Sequence, residues 1–128
     1  PLLFVSVMLV GGALAMAGVH LPGVELGIVG SVIVLGALLV VVQRGQTAPV
    51  ALLVAGFSLF HGYAHGAEMP AAAGALSYAL GFAVATAALH AAGLFGGLWL
   101  QERKAARVVM GSLGALISLA GVGMAVGM

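Results

Sequence analysis

The stretch of sequence that decides the fold covers residues 24–43 and reads VELGIVGSVIVLGALLVVVQ. Its single charged residue is Glu25, next to its amino-terminal end, and Arg44 follows directly after it. An α-helix rises about 1.5 Å per residue, so about twenty residues span about 30 Å, the thickness of the hydrocarbon core of a bilayer. The stretch therefore predicts a transmembrane helix.

Four further apolar runs are similar to this stretch in length and composition. Short segments that carry proline, glycine or charged residues separate them, and such segments favour turns over helix. Together the runs predict an all-α fold, a polytopic bundle of about five transmembrane helices that forms one domain over residues 1–128. The predicted helices cover residues 1–19, 24–43, 48–68, 74–100 and 105–126.

The composition requires lipid around this bundle. Hydrophobic residues make up 63% of the chain and charged residues 5%, whereas soluble domains carry about 25% charged residues. The absence of cysteine excludes disulfides, thiolate metal sites and iron–sulfur clusters, and a net charge of +1 without a basic patch argues against a nucleic-acid partner. No nucleophile–base pair, phosphate loop, or haem or flavin motif is visible, so we expect neither an enzyme nor an organic cofactor.

The basic residues predict the orientation of the bundle. Arg44 lies between the second and third helices, and Arg103, Lys104 and Arg107 lie between or just after the fourth and fifth. With five spans these two loops face the same side, and they hold every basic residue of the chain. Cytoplasmic loops are enriched in lysine and arginine, so we expect this side to be cytoplasmic.

Glycine spacing predicts where helices pack closely. The chain contains 21 glycines, and small residues four positions apart let two transmembrane backbones approach each other. Ordinary membrane packing accounts for most of this glycine content. The pairs with the spacing are Gly23/Gly27, Gly62/Gly66, Gly93/Gly97 and Gly123/Gly127.

Residues 60–68 read FHGYAHGAE and carry the side chains that point to a function. His61 and His65 are four residues apart and Glu68 follows three later, so on a helix all three project from one face and rise about 10 Å. Two imidazoles and a carboxylate suit nickel, cobalt or zinc. Structural hydrogen bonding between helices is the competing interpretation. The cost of placing ionisable groups within a membrane span favours a metal or proton pathway.

Other polar residues lie beside this stripe or deeper in the bundle. His20 and Glu25 flank the loop between the first two helices, on the same side as Glu68. They either extend the cluster or occupy the interface, where Glu25 favours the helix dipole. His90 lies inside the fourth helix, as an interhelical hydrogen-bond donor or as a relay toward the cytoplasm. Hydroxyl groups such as that of Ser31 are expected to bond to backbone carbonyls.

The stretch at residues 60–68 closely resembles the signature Phe-His-Gly-x-Ala-His-Gly-x-Glu of the HupE/UreJ family, hydrogenase- and urease-accessory proteins regarded as nickel permeases. Residues 21–27 and the position of His90 are also similar to that family, and the resemblance covers essentially the whole chain. It implies that the histidines and glutamate of the signature are nickel-site residues and that Glu25 contributes further.

The chain departs from the family pattern in one respect. The family carries a second signature, His-Pro-x-x-Gly-x-Asp-His, on an earlier helix, and nothing like it occurs here. Pro1 is expected to lie just downstream of that position. Half of the ligand set that the resemblance implies is therefore not in the chain as given.

The resemblance implies a passive permease of a bacterial inner membrane that carries Ni²⁺ inward for hydrogenase or urease maturation, with Co²⁺ or Zn²⁺ as alternative ions. The expected partners are the lipid bilayer, the divalent ion, and further copies of the chain or other membrane subunits. The alternative is a structural transmembrane subunit of a larger complex with a non-transporting His/Glu network, and the missing signature is its main support. A proton-conducting or metal-sensing module is a third interpretation.

Overall fold

The computed structural model describes residues 2–41, 47–70, 72 and 74–128. All regular secondary structure within these ranges is helical, which confirms the predicted all-α fold. The five helices, numbered in chain order, are α1 Leu2–Met16, α2 Val24–Val41, α3 Thr47–Ala67, α4 Ala75–Gln101 and α5 Ala106–Val126.

The helix ends differ most from the predicted ones at α1. This helix ends at Met16, whereas the sequence predicted that it continues to Val19. Gly18 has a φ of 74°, a left-handed conformation that glycine adopts without steric cost and that ends the helix. Gly23, with a φ of 71°, makes a similar turn directly before α2. The predicted end of α2 and the basic residue Arg44 lie outside the described residues.

Four of the helices, α2 to α5, are long and apolar enough to cross a membrane. The 15 residues of α1 rise only about 22 Å, so four helices meet the length that the sequence predicted for all five. Large apolar side chains such as Leu26, Leu52, Leu89 and Leu119 are exposed on the outside of the bundle. Such a surface suits lipid and not water, so the chain is a multi-pass membrane protein.

α1 and α3 pack against each other at glycines. A side chain at Gly62 would overlap the carbonyl of Met8, and one at Gly66 would lie 2.7 Å from the Cα atom of Gly12. Residue numbers increase in the same direction on both helices, from Met8 and Gly62 to Gly12 and Gly66, so α1 and α3 are parallel. On the other helix, Gly11 faces the backbone of α3 in the same way. The two backbones therefore approach as closely as small residues allow.

α2 lies between α3 and α5. The ring of Phe60 on α3 fills the space above Gly27. On the opposite side of α2, a side chain at Gly36 would lie 2.6 Å from the hydroxyl oxygen of Ser118, and that hydroxyl donates a hydrogen bond of 2.8 Å to the Ile33 carbonyl. The packing order is therefore α1, α3, α2, α5, and α4 lies against α1 with few contacts and reaches α3 at His65.

The glycine pairs predicted from spacing have different surroundings. Gly62/Gly66 forms the close contact with α1. Among the described residues, Gly93/Gly97 and Gly123 have no atom of another helix within 4 Å, and Gly23 belongs to a turn. Spacing alone does not say whether another helix is present at that face, so it did not distinguish these glycines from Gly62/Gly66.

Hydrogen bonds from two tyrosines join the loops at one end of the bundle. The Tyr63 hydroxyl donates to the Val19 carbonyl at 2.9 Å and accepts from the backbone N–H of Leu21 at 3.4 Å. The Tyr78 hydroxyl donates to the His65 carbonyl at 2.9 Å. We call this end, formed by residues 17–25, 63–70 and 74–78, the His/Glu end.

The opposite end contains the turn between α4 and α5. The 27 residues of α4 carry the chain about 40 Å from the His/Glu end. The turn holds Arg103 and Lys104, with Arg107 in the first turn of α5. The guanidinium of Arg103 lies 4.5 Å from the ring centre of Trp99, which suits an aromatic residue at a membrane interface. We call this the basic end.

Candidate metal centre

His61 projects from α3 toward α2. Its Nε2 atom lies 2.7 Å from the hydroxyl oxygen of Ser31, which is 1% exposed, and the imidazole is half-buried. α2 approaches this closely because Gly27 leaves room for the ring of Phe60. The hydrogen bond therefore joins two helices within the membrane-spanning region.

His65 lies one helical turn nearer the His/Glu end and projects toward α4. Its exposed ring packs on that of Phe82, with the ring centres 4.7 Å apart. A cavity of about 40 Å³ adjoins the imidazole and is also lined by Gly62, Gly66 and Tyr78. Because one water molecule needs about 10–15 Å³ of such space, the cavity is large enough for water or a small cation.

Glu68 follows the last residue of α3, and its side chain is exposed at the His/Glu end. Within the described ranges, no three His, Asp or Glu side chains lie close enough to hold one metal ion. The prediction that His61, His65 and Glu68 form one stripe is corrected in this respect. His61 bonds to α2, His65 packs against α4, and Glu68 lies beyond the helix. Their individual roles as metal ligands stay predictions.

Glu25 and His20 lie at the same end of the bundle. Glu25 is in the first turn of α2 and is exposed, a position where a carboxylate favours the helix dipole. His20 is exposed in the turn between α1 and α2. Both therefore lie at the His/Glu end, beside the aqueous phase that the ends of a membrane bundle face.

His90 lies on a different part of α4. Its Nδ1 atom is 2.9 Å from the carbonyl oxygen of Thr86 on the same helix, and its ring packs on Phe4 with centres 4.4 Å apart. Because a carbonyl only accepts hydrogen bonds, Nδ1 carries the proton. Phe4 and Gly12, which lines the cavity, are two helical turns apart on α1, or about 12 Å. The structure thus holds His90 away from the cavity beside His65.

Two side chains of the site were not found from the sequence. Ser31 was predicted to bond to a backbone carbonyl, and its hydroxyl does so at 2.6 Å from Ile28, but its contact with His61 was not foreseen. The hydrogen bonds between Tyr63 and the α1–α2 turn were not foreseen either. Both contacts connect residues more than 25 positions apart, and no local spacing in a single sequence encodes such pairs.

The fold and the site define a class of protein, a multi-pass membrane protein with histidines in one span and exposed carboxylates at one end. Residues 1–124 match the family described as HupE / UreJ protein, and the chain belongs to this family. It is 42% identical over 128 residues to the protein named Protein HupE of Rhizobium leguminosarum bv. viciae.

The alignment with that relative covers 99% of this chain and 66% of the relative. The chain therefore spans just under two thirds of the length of the curated relative it matches. No solved structure gives a significant match. The family that the signature at residues 60–68 predicted is thereby confirmed.

Proposed function

We propose that the chain forms part of a passive permease that carries Ni²⁺ across a bacterial inner membrane for the maturation of hydrogenase or urease. Membership of the HupE/UreJ family and the relative named Protein HupE support this proposal. The observation that carries it is the pair of imidazoles on consecutive turns of α3, one of them beside a cavity. Imidazole is a good ligand for nickel, and also for cobalt and zinc.

The proposed path begins at the His/Glu end. The exposed carboxylates of Glu68 and Glu25 attract the hydrated cation and raise its local concentration. His65 then exchanges part of the water shell for an imidazole nitrogen at the cavity, and His61 follows one turn deeper, about 6 Å along the helix. His90 is a later contact in this proposal, through the Nε2 atom that its bond to Thr86 leaves unprotonated.

Among the described residues, His61 and His65 lie in different surroundings, and this arrangement suits transport better than storage. Conduction requires sites that bind an ion strongly enough to admit it and weakly enough to release it. A closed set of three or four protein ligands holds a transition metal tightly. Single imidazoles completed by water bind more weakly, so the separation of His61 and His65 into different surroundings suits an ion that moves on.

The proposed orientation places the basic end in the cytoplasm. This end carries Arg103, Lys104 and Arg107, and cytoplasmic loops are enriched in such basic residues. The His/Glu end then faces the periplasm. A membrane potential of 100 mV, negative inside, contributes about 2.3 kcal/mol per charge, so a divalent cation gains about 4.6 kcal/mol on moving inward. Passive uptake needs no nucleotide.

The test is uptake of radioactive Ni²⁺ by proteoliposomes that contain the purified chain and hold an inside-negative potential. We expect the double variant His61→Ala/His65→Ala to lose most of the uptake. His20→Ala is the matched control, because it removes an exposed imidazole at the same end and should transport normally. Uptake that is unchanged in the double variant would contradict the proposal, and competition by Co²⁺ and Zn²⁺ measures the choice of ion.

A structural subunit of a larger membrane complex is the second candidate function. It is favoured by one observation: each imidazole on α3 and α4 already has a packing or hydrogen-bond partner within the chain. Purification in mild detergent discriminates the two functions. Stable co-migration with other subunits, together with no metal in elemental analysis and no uptake in proteoliposomes, would favour the structural function.

A further inference from the structure

The hydroxyl of Ser31 carries one proton but makes two short contacts. Its Oγ atom lies 2.6 Å from the carbonyl oxygen of Ile28 and 2.7 Å from Nε2 of His61. Two oxygens at 2.6 Å repel each other unless a proton lies between them, and the carbonyl has none to give. The hydroxyl proton therefore lies toward Ile28.

The proton of the hydrogen bond between Ser31 and His61 must then come from the imidazole. With its proton committed, Ser31 offers only lone pairs to Nε2, so Nε2 carries a proton and donates it to the hydroxyl oxygen. The two bonds form a chain from imidazole to hydroxyl to carbonyl, in which each bond strengthens the other. Ser31 is 1% exposed, so water does not compete for either contact.

The other ring nitrogen of His61 is left unprotonated. Within the part of the chain that the structure describes, Nδ1 makes no hydrogen bond, and every buried side-chain nitrogen or oxygen has a partner. Nδ1 is therefore not sealed inside the protein. An imidazole nitrogen with a free lone pair is the atom that binds a divalent transition metal, and the hydrogen bond at the opposite nitrogen decides which atom that is.

We propose that Ser31 is a positioning residue that holds His61 as the Nε2–H tautomer and thereby presents Nδ1 as the metal-binding atom. The metal-binding part rests on the proposed function. His90 is the comparison within the same chain: no hydroxyl faces its Nε2 among the described contacts, and its proton lies on Nδ1, bonded to the carbonyl four residues earlier. Without Ser31, His61 can make the equivalent bond to the Phe57 carbonyl, which would use up the ligand atom.

The test uses nitrogen NMR of the full chain in lipid nanodiscs, with histidine rings labelled with ¹⁵N. Spectra are taken at about pH 9, well above the range in which imidazoles ordinarily bind a second proton. His61→Gln identifies the His61 signals by their loss. We expect the unaltered chain to have a protonated Nε2 and an unprotonated Nδ1 at His61, and Ser31→Ala to shift the proton to Nδ1.

Two further variants separate positioning from packing. Ser58→Ala is the matched control, because Ser58 is a fully buried serine whose hydroxyl bonds to a carbonyl of its own helix, Ala55, at 2.7 Å and makes no hydrogen bond to a histidine among the described contacts. It should leave the His61 tautomer unchanged. Ser31→Thr keeps the hydroxyl and should keep the tautomer. Should the threonine variant not fold, the two alanine variants still decide the question.

Uptake kinetics supply the second readout. Loss of a group that orients a metal ligand typically costs 10–100-fold in affinity, so Ser31→Ala should raise the KM for Ni²⁺ by about 10-fold with a smaller change in the maximal rate. A His61 ring protonated at Nδ1 in the unaltered chain, or a tautomer unchanged by Ser31→Ala, overturns the proposal. An unaltered chain that carries no Ni²⁺ would remove the proposed function and the ligand role, whereas the tautomer from NMR would still stand.

Discussion

α3 and α4 are the two helices that carry histidines, and they differ in what surrounds them. α3 lies between α1 and α2, and its Gly62 and Gly66 touch the backbone of α1. α4 lies on the outside, and in the described part of the chain no neighbouring atom lies within 4 Å of its Gly81, Gly93, Gly96 and Gly97. Accordingly, His61 bonds to a hydroxyl of another helix, whereas His90 bonds to its own helix. The packing around each helix thus determines which polar group its histidine can bond to.

Glycine-to-alanine substitutions should give the largest difference between α3 and α4, measured as a change in the free energy of unfolding. Gly62→Ala places a methyl group against the Met8 backbone, which cannot move aside as a side chain can. Overpacking of this kind typically costs 1–3 kcal/mol, and we expect about 3 kcal/mol here. Gly93→Ala on α4 meets no described atom within 4 Å and should leave the free energy of unfolding unchanged or raise it by up to about 1 kcal/mol.

Thermal unfolding in detergent, followed by the loss of monodisperse protein, measures both glycine variants. A gain of stability in Gly93→Ala is compatible with the comparison, because alanine has the higher helix propensity. Equal destabilisation by the two variants would mean that another surface covers α4 or that α1 does not pack on α3 as described.

The histidines should give the next largest difference. In the proposed path His61 exchanges ligands with the ion, whereas His90 is a later contact away from the cavity, so His61→Ala should lower nickel uptake at least about 10-fold and His90→Ala no more than about 3-fold. The estimate follows from the size of the effects that changes around metal ligands produce. Initial uptake rates in proteoliposomes provide the measurement. A larger loss for His90→Ala would reverse the order of the two helices in the transport path.

Much of the fold was predictable because lipid imposes a simple rule. A helix must be about twenty apolar residues long to cross the membrane, so run length and breakers located α2 to α5 to within a few residues. The end of α1 was misplaced because Ala17 and Val19 are as apolar as a helix interior. The left-handed backbone of Gly18 ends the helix, and the sequence of a glycine-rich chain does not indicate which glycine adopts that conformation.

The candidate site was predictable only within one helix. Spacing along α3 correctly brought His61 and His65 to neighbouring turns, and the signature identified the family. The sequence could not reveal that the two imidazoles face different helices, because that depends on how α2 and α4 pack around α3. Ser31 shows the same limit, since its partner lies 30 residues away on another helix.

The tyrosines at the His/Glu end give a smaller contrast between the helices. The Tyr63 hydroxyl on α3 makes two hydrogen bonds to the α1–α2 turn, whereas the Tyr78 hydroxyl on α4 makes one, to His65. A hydrogen bond contributes a net 0.5–1.5 kcal/mol, and the bond to Leu21 is long at 3.4 Å. We therefore expect Tyr63→Phe to cost about 1 kcal/mol and Tyr78→Phe about 0.5 kcal/mol in the same unfolding assay. An equal cost would mean that the longer bond contributes nothing.

The carboxylates at the ends of the two helices should give the smallest effect. Glu68 follows α3 at the His/Glu end, and Glu102 follows α4 at the basic end, so Glu68→Gln and Glu102→Gln remove the same charge from opposite ends. If the cation enters at the His/Glu end, Glu68→Gln should lower the initial uptake rate about 2-fold to 3-fold at low salt, and Glu102→Gln should not.

Salt distinguishes attraction from ligation at Glu68. The screening length is about 30 Å at 0.01 M salt and about 3 Å at 1 M, so a carboxylate that acts only by attracting the cation loses its effect as salt is added. A carboxylate that binds the ion directly keeps its effect at both concentrations. A loss of uptake in Glu68→Gln that persists at 1 M salt would therefore make Glu68 a ligand of the ion. That result would extend the binding region from α3 to the mouth of the bundle.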